Sequence, residues 1–223
     1  MVKSGRDASY HHGDLRQALI DGAVALIREN QDGKTLSMRE VARRAGVSNA
    51  APYRHFADKD ALLAAVAEKG FRLLTAALKA GVESATNGPV RSLQASGVAY
   101  VKFAIAYPAY YRVMFSAFQP GESSCPDLND AGDDAFSVLV GAITQGQTAD
   151  KIKSGNPQQL AWVAWSLVHG LAMLVIERQL PLTDESSIAA FAELAVQTLG
   201  EGLNSAHSSQ KKQIGRASCR ERV

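Results

Sequence analysis

The sequence predicts an all-α protein, with a small three-helix head at the N-terminus and a larger helical bundle behind it. Apolar residues recur three and four positions apart over most of the 223 residues, which is the period of an amphipathic helix. Gly and Pro interrupt this pattern at helix-length intervals. No strand-like alternation or Gly-rich phosphate loop occurs, and a hydrophobic content of 46% is ample for a core.

Charge and cysteine content narrow the function only slightly. Residues 214–223 (IGRASCRERV) match a translation of a common sequencing adapter, so we interpret them as an artefact. They hold three of the 24 basic and one of the 22 acidic residues, which leaves 21 of each. Outside that tail Cys125 stands alone, so the sequence predicts no internal disulfide and no cysteine metal site. We expect no metal and no cofactor.

The N-terminus and the hydropathy pattern predict a cytoplasmic protein without a membrane span. No uninterrupted run of 18 apolar residues occurs, and the first residues lack the apolar stretch of a secretory signal. Residues 1–13 are polar, include Lys3 and Arg6, and are predicted to form a flexible arm. Asp14 is the predicted cap of a first helix over residues 15–29.

A helix-turn-helix pattern follows. Residues 38–45 have the period of a short helix, and Ser37 with Glu40 forms a capping box at its start. Gly46 then supplies the left-handed position that commonly ends a helix. A second helix is predicted to begin at Ser48 or Asn49, and in such hairpins this helix can enter a major groove.

The run AGVSNAAPYRHFADKDALLAAV resembles the DNA-binding signature of the TetR/AcrR-type transcriptional regulators. The likeness extends from about Tyr10 to Phe71. It combines the turn, the Tyr-x-His-Phe run and the Lys-x-x-Leu-Leu start of a linking helix. Pro52 departs from the pattern, because many members have Leu there and proline cannot donate a helical hydrogen bond. The recognition helix is therefore expected to be short, with Pro52 in its first turn.

The resemblance implies a homodimeric repressor that binds a palindromic operator and releases it when a small molecule binds the C-terminal bundle. By position in the head, four residues are candidates for phosphate contacts: Ser37, Tyr53, His55 and Lys59. The candidates for base contacts are Arg39, Asn49, Ala50 and Ala51, and Ser48 completes the predicted DNA site. Arg43 and Arg44 are expected on a solvated face.

The remaining helices predict a domain for effector binding and dimerisation. We place the DNA-binding domain at residues 14–60, the C-terminal domain at 61–205 and a tail at 206–223. The C-terminal domain begins within a long helix over 58–86, which could transmit a movement of the body to the head. Further predicted helices cover 90–107, 108–118, 135–146, 157–178 and 184–203, with a loop over 119–134. Trp165, His169 and Gly170 resemble a Trp-x-x-x-His-Gly motif of one C-terminal domain type in that family.

Aromatic and apolar residues of the body are candidates for an effector pocket, although core packing is the more common explanation for any one of them. They are Tyr107, Tyr110, Tyr111, Met114, Phe115, Phe118, Trp162, Trp165 and His169. Such walls suit a small apolar or amphipathic ligand. Two alternatives stay open: a ligand-independent architectural or protein-binding DNA factor, and a helical enzyme that uses His169. No nucleophile–base pair supports the enzyme.

Overall fold

The computed structural model describes residues 12–30, 35–117 and 125–203, and the predictions for residues 1–11, Phe118 and the tail from 204 lie outside them. The predicted all-α class is confirmed, because the described residues contain helices and no β-strand. The helices are α1 (His12–Asn30), α2 (Met38–Arg44), a 3-10 turn (Pro52–Arg54), α3 (Lys59–Ser84), α4 (Pro89–Ala106), α5 (Pro108–Ala117), α6 (Pro126–Thr148), α7 (Pro157–Ile176) and α8 (Glu185–Leu203).

Packing divides the chain into two compact units. The first unit comprises Met1–Gly70 and Ala109–Asn129, and the second comprises Phe71–Pro108 and Asp130–Val223. Helices α3 and α6 each contribute to both units. The boundary between residues 60 and 61 was predicted from function rather than from packing, and it stays a prediction.

In the first unit, α2 is closed at both ends by the motifs that the sequence predicts. The Ser37 hydroxyl accepts a hydrogen bond from the Glu40 backbone N–H at 3.2 Å and donates one to the Glu40 carboxylate at 3.0 Å. Gly46 has a φ of 70°, and the Val47 N–H donates to the carbonyl of Ala42 at 3.0 Å. Together with the bond from Gly46 N–H to the Arg43 carbonyl, this is a Schellman motif. The turn geometry therefore follows directly from the sequence.

The core of the first unit holds α2 against α1. Fully buried side chains on α1 recur at three- and four-residue spacing and meet the inner face of α2. The described core of this unit includes Leu19, Ile20, Ala23, Ile27, Leu36, Val41, Ala42, Phe56, Leu62 and Val66. On the outside, Arg44 pairs with Glu29 and thereby links α2 to α1.

Two predicted boundaries are wrong. Helix α1 begins at His12 rather than after Asp14, so residues 12 and 13, which were assigned to the arm, are helical. An acidic residue is favourable anywhere in a first turn, so Asp14 did not identify the cap position. The predicted loop over 119–134 is helical from Pro126 onward. Pro126 suits a first helical position, and the buried residues Leu128, Ala131 and Ala135 continue the helical period.

The remaining helix boundaries lie within a few residues of the predicted ones, and side-chain caps define the starts of three of these helices. Asp58 caps α3 by accepting a hydrogen bond from the Ala61 N–H at 2.8 Å. Asn156 caps α7 with bonds from Gln158 and Gln159. Asp184 caps α8 through the Ser187 N–H at 2.9 Å. Each of these caps satisfies backbone donors that the helix itself leaves open.

In the second unit, α4 packs against both α7 and α8. Gly97 permits this approach, since a Cβ placed there would lie 2.7 Å from the Val196 side chain. A second apolar cluster gathers residues of α4, α6, α7 and α8 together with Ile152 from the connection between α6 and α7: Leu93, Ala142, Ile143, Ile152, Ala161 and Leu203. The inner faces of α7 and α8 thus supply the core of this unit.

The outer face of α7 remains apolar and exposed, and α8 exposes Phe191 and Leu194 beside Glu193. On α7, the exposed large apolar residues are Trp162, Val163, Leu167 and Leu174. Among the described residues, α7 is the helix long and apolar enough to cross a bilayer by length and composition. One such helix is weak evidence for a membrane span, because core helices of soluble proteins have the same length and composition.

Candidate nucleic-acid interface

Residues 48–56, the recognition segment, form turns and a 3-10 turn instead of the predicted α-helix. The Ala51 N–H donates to the Ser48 carbonyl at 3.0 Å, and Pro52–Arg54 forms one 3-10 turn. The prediction of an α-helix from Ser48 or Asn49 is wrong. Pro52 has no N–H for the Ser48 carbonyl, so that carbonyl bonds three residues ahead instead of four.

Two buried side chains anchor the recognition segment. Pro52 is buried, and Phe56 retains only 4% of its surface exposed. The N–H groups of His55 and Phe56 both donate to the Pro52 carbonyl at 2.9 Å, which closes the segment on itself. The backbone between these anchors is therefore fixed by the core of the first unit.

The side chains exposed by this segment are those of Ser48, Asn49, Ala50, Tyr53 and Arg54. Tyr53 is 58% exposed although its ring is large. The first three side chains are short, so this part of the backbone can approach a DNA groove closely. The exposed surface therefore offers hydrogen-bonding groups, a methyl group and an aromatic ring to a polar partner.

The other predicted DNA-binding residues are less accessible. Ser37 is half-buried and its hydroxyl already serves the capping box with Glu40. Ala51 and His55 are half-buried, and so is Lys59 at the first position of α3. Arg39 is exposed in the first turn of α2. Their DNA contacts stay predictions.

Several cations of the first unit are held by partners within the chain. The Arg44 guanidinium donates two hydrogen bonds to the Glu29 carboxylate, both at 2.6 Å. The hydrogen bond from Arg44 lowers the pKa of Glu29 below its ordinary value. Arg16 lies over the ring of Phe56 at 5.4 Å, and Lys69 pairs with Asp21 at 3.0 Å. These cations stabilise the unit and are directed toward its own groups.

In the second unit, two of the predicted effector residues meet at Tyr100. The Trp165 indole N–H donates to the Tyr100 hydroxyl at 3.1 Å, and that hydroxyl lies 3.0 Å from Nδ1 of His169. Tyr100 is itself 4% exposed. Burial lowers the pKa of His169 and so favours its neutral form. This hydrogen-bonded triad links α4 to α7.

The other predicted effector residues are distributed between the two units. Tyr110, Tyr111 and Met114 are buried in the first unit, where Tyr111 also contacts Phe115 at a ring distance of 4.9 Å. In the second unit, Trp162 is 51% and Tyr107 47% exposed, so neither belongs to a core. The single pocket lined by all of these residues stays a prediction.

A surface cleft of about 380 Å³ lies elsewhere in the second unit, between the start of α4 and the end of α8. Its lining includes the polar side chains of Arg91, Gln94, Lys151 and Glu201. None of the predicted effector residues lines this cleft. It therefore does not test the predicted apolar pocket.

Two residues were not singled out from the sequence: Tyr100, which joins the triad, and the exposed Arg54. A lone tyrosine on an apolar helix face was a usable signal, because a buried hydroxyl needs a hydrogen-bond partner. Arg54 lies inside the Tyr-x-His run. Its exposure depends on the 3-10 turn, which periodicity did not predict.

The fold and this interface define a helix-turn-helix transcriptional regulator. Residues 19–66 match the family described as bacterial regulatory proteins, tetR family. Residues 93–199 match the family described as tetracyclin repressor-like, C-terminal domain. The chain belongs to the TetR family, as the sequence motifs indicated. This is a family of transcriptional regulators rather than a class of enzymes, so the alternative of an enzyme based on His169 is not supported.

Individual proteins resemble parts or most of this chain. An uncharacterized HTH-type transcriptional regulator of Haemophilus influenzae is 44% identical over 59 residues, which are 26% of this chain and 29% of the relative. The chain thus matches less than a third of the length of that curated relative. A Rhodococcus protein of unknown function is 35% identical, with a TM-score of 0.77 over 89% of this chain and all of that chain.

A more distant structure shares the fold. The transcriptional regulator FadR of Bacillus subtilis, solved in complex with stearoyl-CoA, is 16% identical. It aligns with a TM-score of 0.66 over 84% of this chain and 99% of that chain. At this identity the likeness concerns the fold alone.

Proposed function

We propose that this TetR-family regulator is a cytoplasmic homodimeric repressor that leaves a palindromic operator when a small molecule binds. The observation that carries the DNA-binding part is the recognition segment, whose exposed side chains are fixed by the buried Pro52 and Phe56. A rigid, exposed and polar segment meets what groove recognition requires. We place the DNA-binding domain at residues 14–60.

Within this proposal, exposed and half-buried residues play different roles. Asn49 and Arg39 contact base edges, as their amide and guanidinium groups can pair with adenine and guanine. The methyl groups of Ala50 and Ala51 suit a thymine methyl. Phosphate contacts come from the other four candidates, which position the head on the duplex: Ser37, Tyr53, His55 and Lys59.

The outer faces of α7 and α8 support the homodimer. Their exposed large apolar residues are Trp162, Val163, Leu167, Leu174, Phe191 and Leu194. Helix α7 contains no Asp, Glu, Lys or Arg between Pro157 and Ile176. The charge-free face of α7 can therefore meet its own copy across a two-fold axis without burying ions. In the dimer, we propose, two recognition segments read half-sites about one helical turn apart, roughly 34–36 Å.

The effector part of the proposal concerns an amphipathic small molecule. The FadR structure shows that a protein of this fold can bind an acyl-CoA. For this chain, the aromatic candidates and the neutral His169 favour a ligand with an apolar body and one polar group. A tenfold loss of operator affinity requires only about 1.4 kcal/mol of coupling between the two sites.

Two substitutions test the DNA-binding roles. Replacing Asn49→Ala is expected to relax base preference at one operator position by about 1–3 kcal/mol, because the alanine side chain cannot hydrogen-bond a base edge. Replacing Lys59→Ala is expected to weaken binding to all sequences alike. Binding assays with operator variants and random duplexes measure both. Identical effects of the two substitutions on specific and random DNA would contradict the assigned roles.

Operator release tests the effector part separately. A series of fatty acids and acyl-CoAs of different chain length is titrated into the protein–DNA complex while fluorescence anisotropy reports bound DNA. We expect at least one chain length to release the operator at micromolar concentration. Retention of the complex with every member of the series would overturn the amphipathic effector and favour the ligand-independent factor.

A further inference from the structure

The 3-10 turn directs one long cationic side chain away from the core of the first unit. A 3-10 helix has about three residues per turn, so the side chains of Pro52, Tyr53 and Arg54 leave the axis roughly 120° apart. Pro52 is buried, whereas Tyr53 is 58% exposed and Arg54 is also exposed. Because Pro52 faces the core, Tyr53 and Arg54 project from the outer side of the turn.

The local charges leave the Arg54 guanidinium available. Arg44 is held by Glu29, Lys69 by Asp21, and Arg16 by the ring of Phe56. Across the described ranges, no acidic side chain forms an ion pair with Arg54. Asp58 is the nearest acidic residue in sequence, and its carboxylate caps α3 by accepting from the Ala61 N–H.

Within the recognition segment, Arg54 is the residue whose side chain is both long and cationic, so it can contact an anion. Residues 48–56 contain no other Lys or Arg, and the exposed residues before the turn are short. A guanidinium presents paired N–H groups that match two phosphate oxygens, and no acidic partner within the described part of the chain competes for them. The His55 side chain, in contrast, is half-buried.

We propose that Arg54 is a DNA-contacting residue that binds a backbone phosphate beside Tyr53. The assignment rests on the proposed DNA-binding function and adds a residue to its interface. As a phosphate contact, Arg54 fixes the register of the recognition segment on the duplex and carries no sequence preference of its own. It therefore acts equally on specific and random DNA.

Salt-dependent binding of the full chain tests this role. Anisotropy titrations use a duplex from the upstream intergenic region and a random duplex of equal length, between about 50 and 200 mM salt. Replacing Arg54→Ala is expected to weaken binding to both duplexes by the same factor, roughly tenfold at the lowest salt. The slope of log K against log salt should become shallower by about 0.9 for each phosphate that is no longer neutralised. Arg54→Lys should retain the slope with weaker binding.

Arg44→Ala is the matched control, since Arg44 is an exposed arginine whose guanidinium is occupied by Glu29. Its salt slope should equal that of the wild type. Unchanged binding by Arg54→Ala, or a loss confined to the specific duplex, would overturn the phosphate assignment while leaving the DNA-binding function intact. A wild-type chain that binds neither duplex would instead contradict the function and, with it, the role of Arg54.

Discussion

Two exposed surfaces of this protein differ in chemistry, and each indicates a different partner. The recognition segment of the first unit exposes short polar side chains, a tyrosine and an arginine. The outer faces of α7 and α8 in the second unit expose large apolar side chains, and that of α7 contains no charged residue. The first surface suits a hydrated polyanion, whereas the second is stabilised by being covered with apolar surface.

The two surfaces also differ in how they are supported. The recognition segment is a few residues of turn anchored by Pro52 and Phe56. The apolar face spreads over two helices of 20 and 19 residues whose inner faces form a core. A single substitution should therefore disrupt the first surface through its anchors. On the second surface, a single substitution should have a large effect mainly at a position where a partner helix must approach closely.

The largest expected effect is on the anchor of the recognition segment. Replacing Phe56→Ala should reduce the free energy of unfolding by about 3–5 kcal/mol, because it removes a buried ring and leaves a cavity. Tyr53→Ala, which removes an exposed ring, should change it by less than about 0.5 kcal/mol. Urea unfolding followed by circular dichroism measures both. Equal losses for the two variants would show that the segment is not anchored as described.

The next effect concerns the apolar face of the second unit. Gly170 lies on α7 between the exposed Leu167 and Leu174, and a Cβ there would meet nothing within 4 Å in the chain. If a second copy covers this face, Gly170→Leu should raise the dimer dissociation constant at least about tenfold, which is about 1.4 kcal/mol. Sedimentation equilibrium measures it. Gly141→Leu, equally open but on α6, is the control and should leave the dimer unchanged.

A smaller effect is expected at the helix-turn-helix turn. Gly46 has a φ of 70° and open space around its Cβ position. Gly46→Ala should therefore create no clash and should lower the free energy of unfolding by about 1–2 kcal/mol, because alanine disfavours a left-handed backbone. The same substitution at Gly141, inside α6, should stabilise the protein by up to about 1 kcal/mol. Thermal unfolding of both variants tests the opposite signs. A stabilising Gly46→Ala would contradict the left-handed turn.

The smallest expected effect is the pH dependence contributed by His169. Because burial lowers the pKa of His169 below its ordinary 6.5, the unfolded state binds a proton first as the pH falls. Stability contributed by the neutral side chain is therefore present above pH 6.5 and is lost progressively below it. Between about pH 7 and 5, the free energy of unfolding measured in urea should fall less steeply with decreasing pH for His169→Gln than for the wild type. An identical slope would exclude this contribution.

Much of the first unit was predictable because its signals are local. The Ser37–Glu40 cap, the left-handed Gly46 and the Asp58 cap each depend on residues within one turn. The conformation of the recognition segment was less accessible. The sequence predicted Pro52 in the first turn of a short α-helix, whereas the hydrogen bonds around it form a 3-10 turn.

The second unit was predictable in its helices and much less in its surfaces. Periodicity identifies an apolar stripe on α8, yet Phe191 and Leu194 of that stripe are exposed, while Ile188, Ala192 and Val196 are buried. Helix α4, which is distant from α8 in sequence, determines by its contacts which apolar face of α8 is buried. The Tyr100 triad was missed for the same reason, since its members lie 65 and 69 residues apart.

Sequence-specific DNA binding by a dimer is the central claim, and a salt-dependent gel shift of the full chain tests it most directly. The probes are the protein's own upstream intergenic DNA and a random duplex of equal length. We predict preferential binding of the upstream DNA, with a complex of two chains per duplex and affinity that falls as salt rises. Equal and weak binding to both duplexes, or binding by a single chain, would contradict the claim.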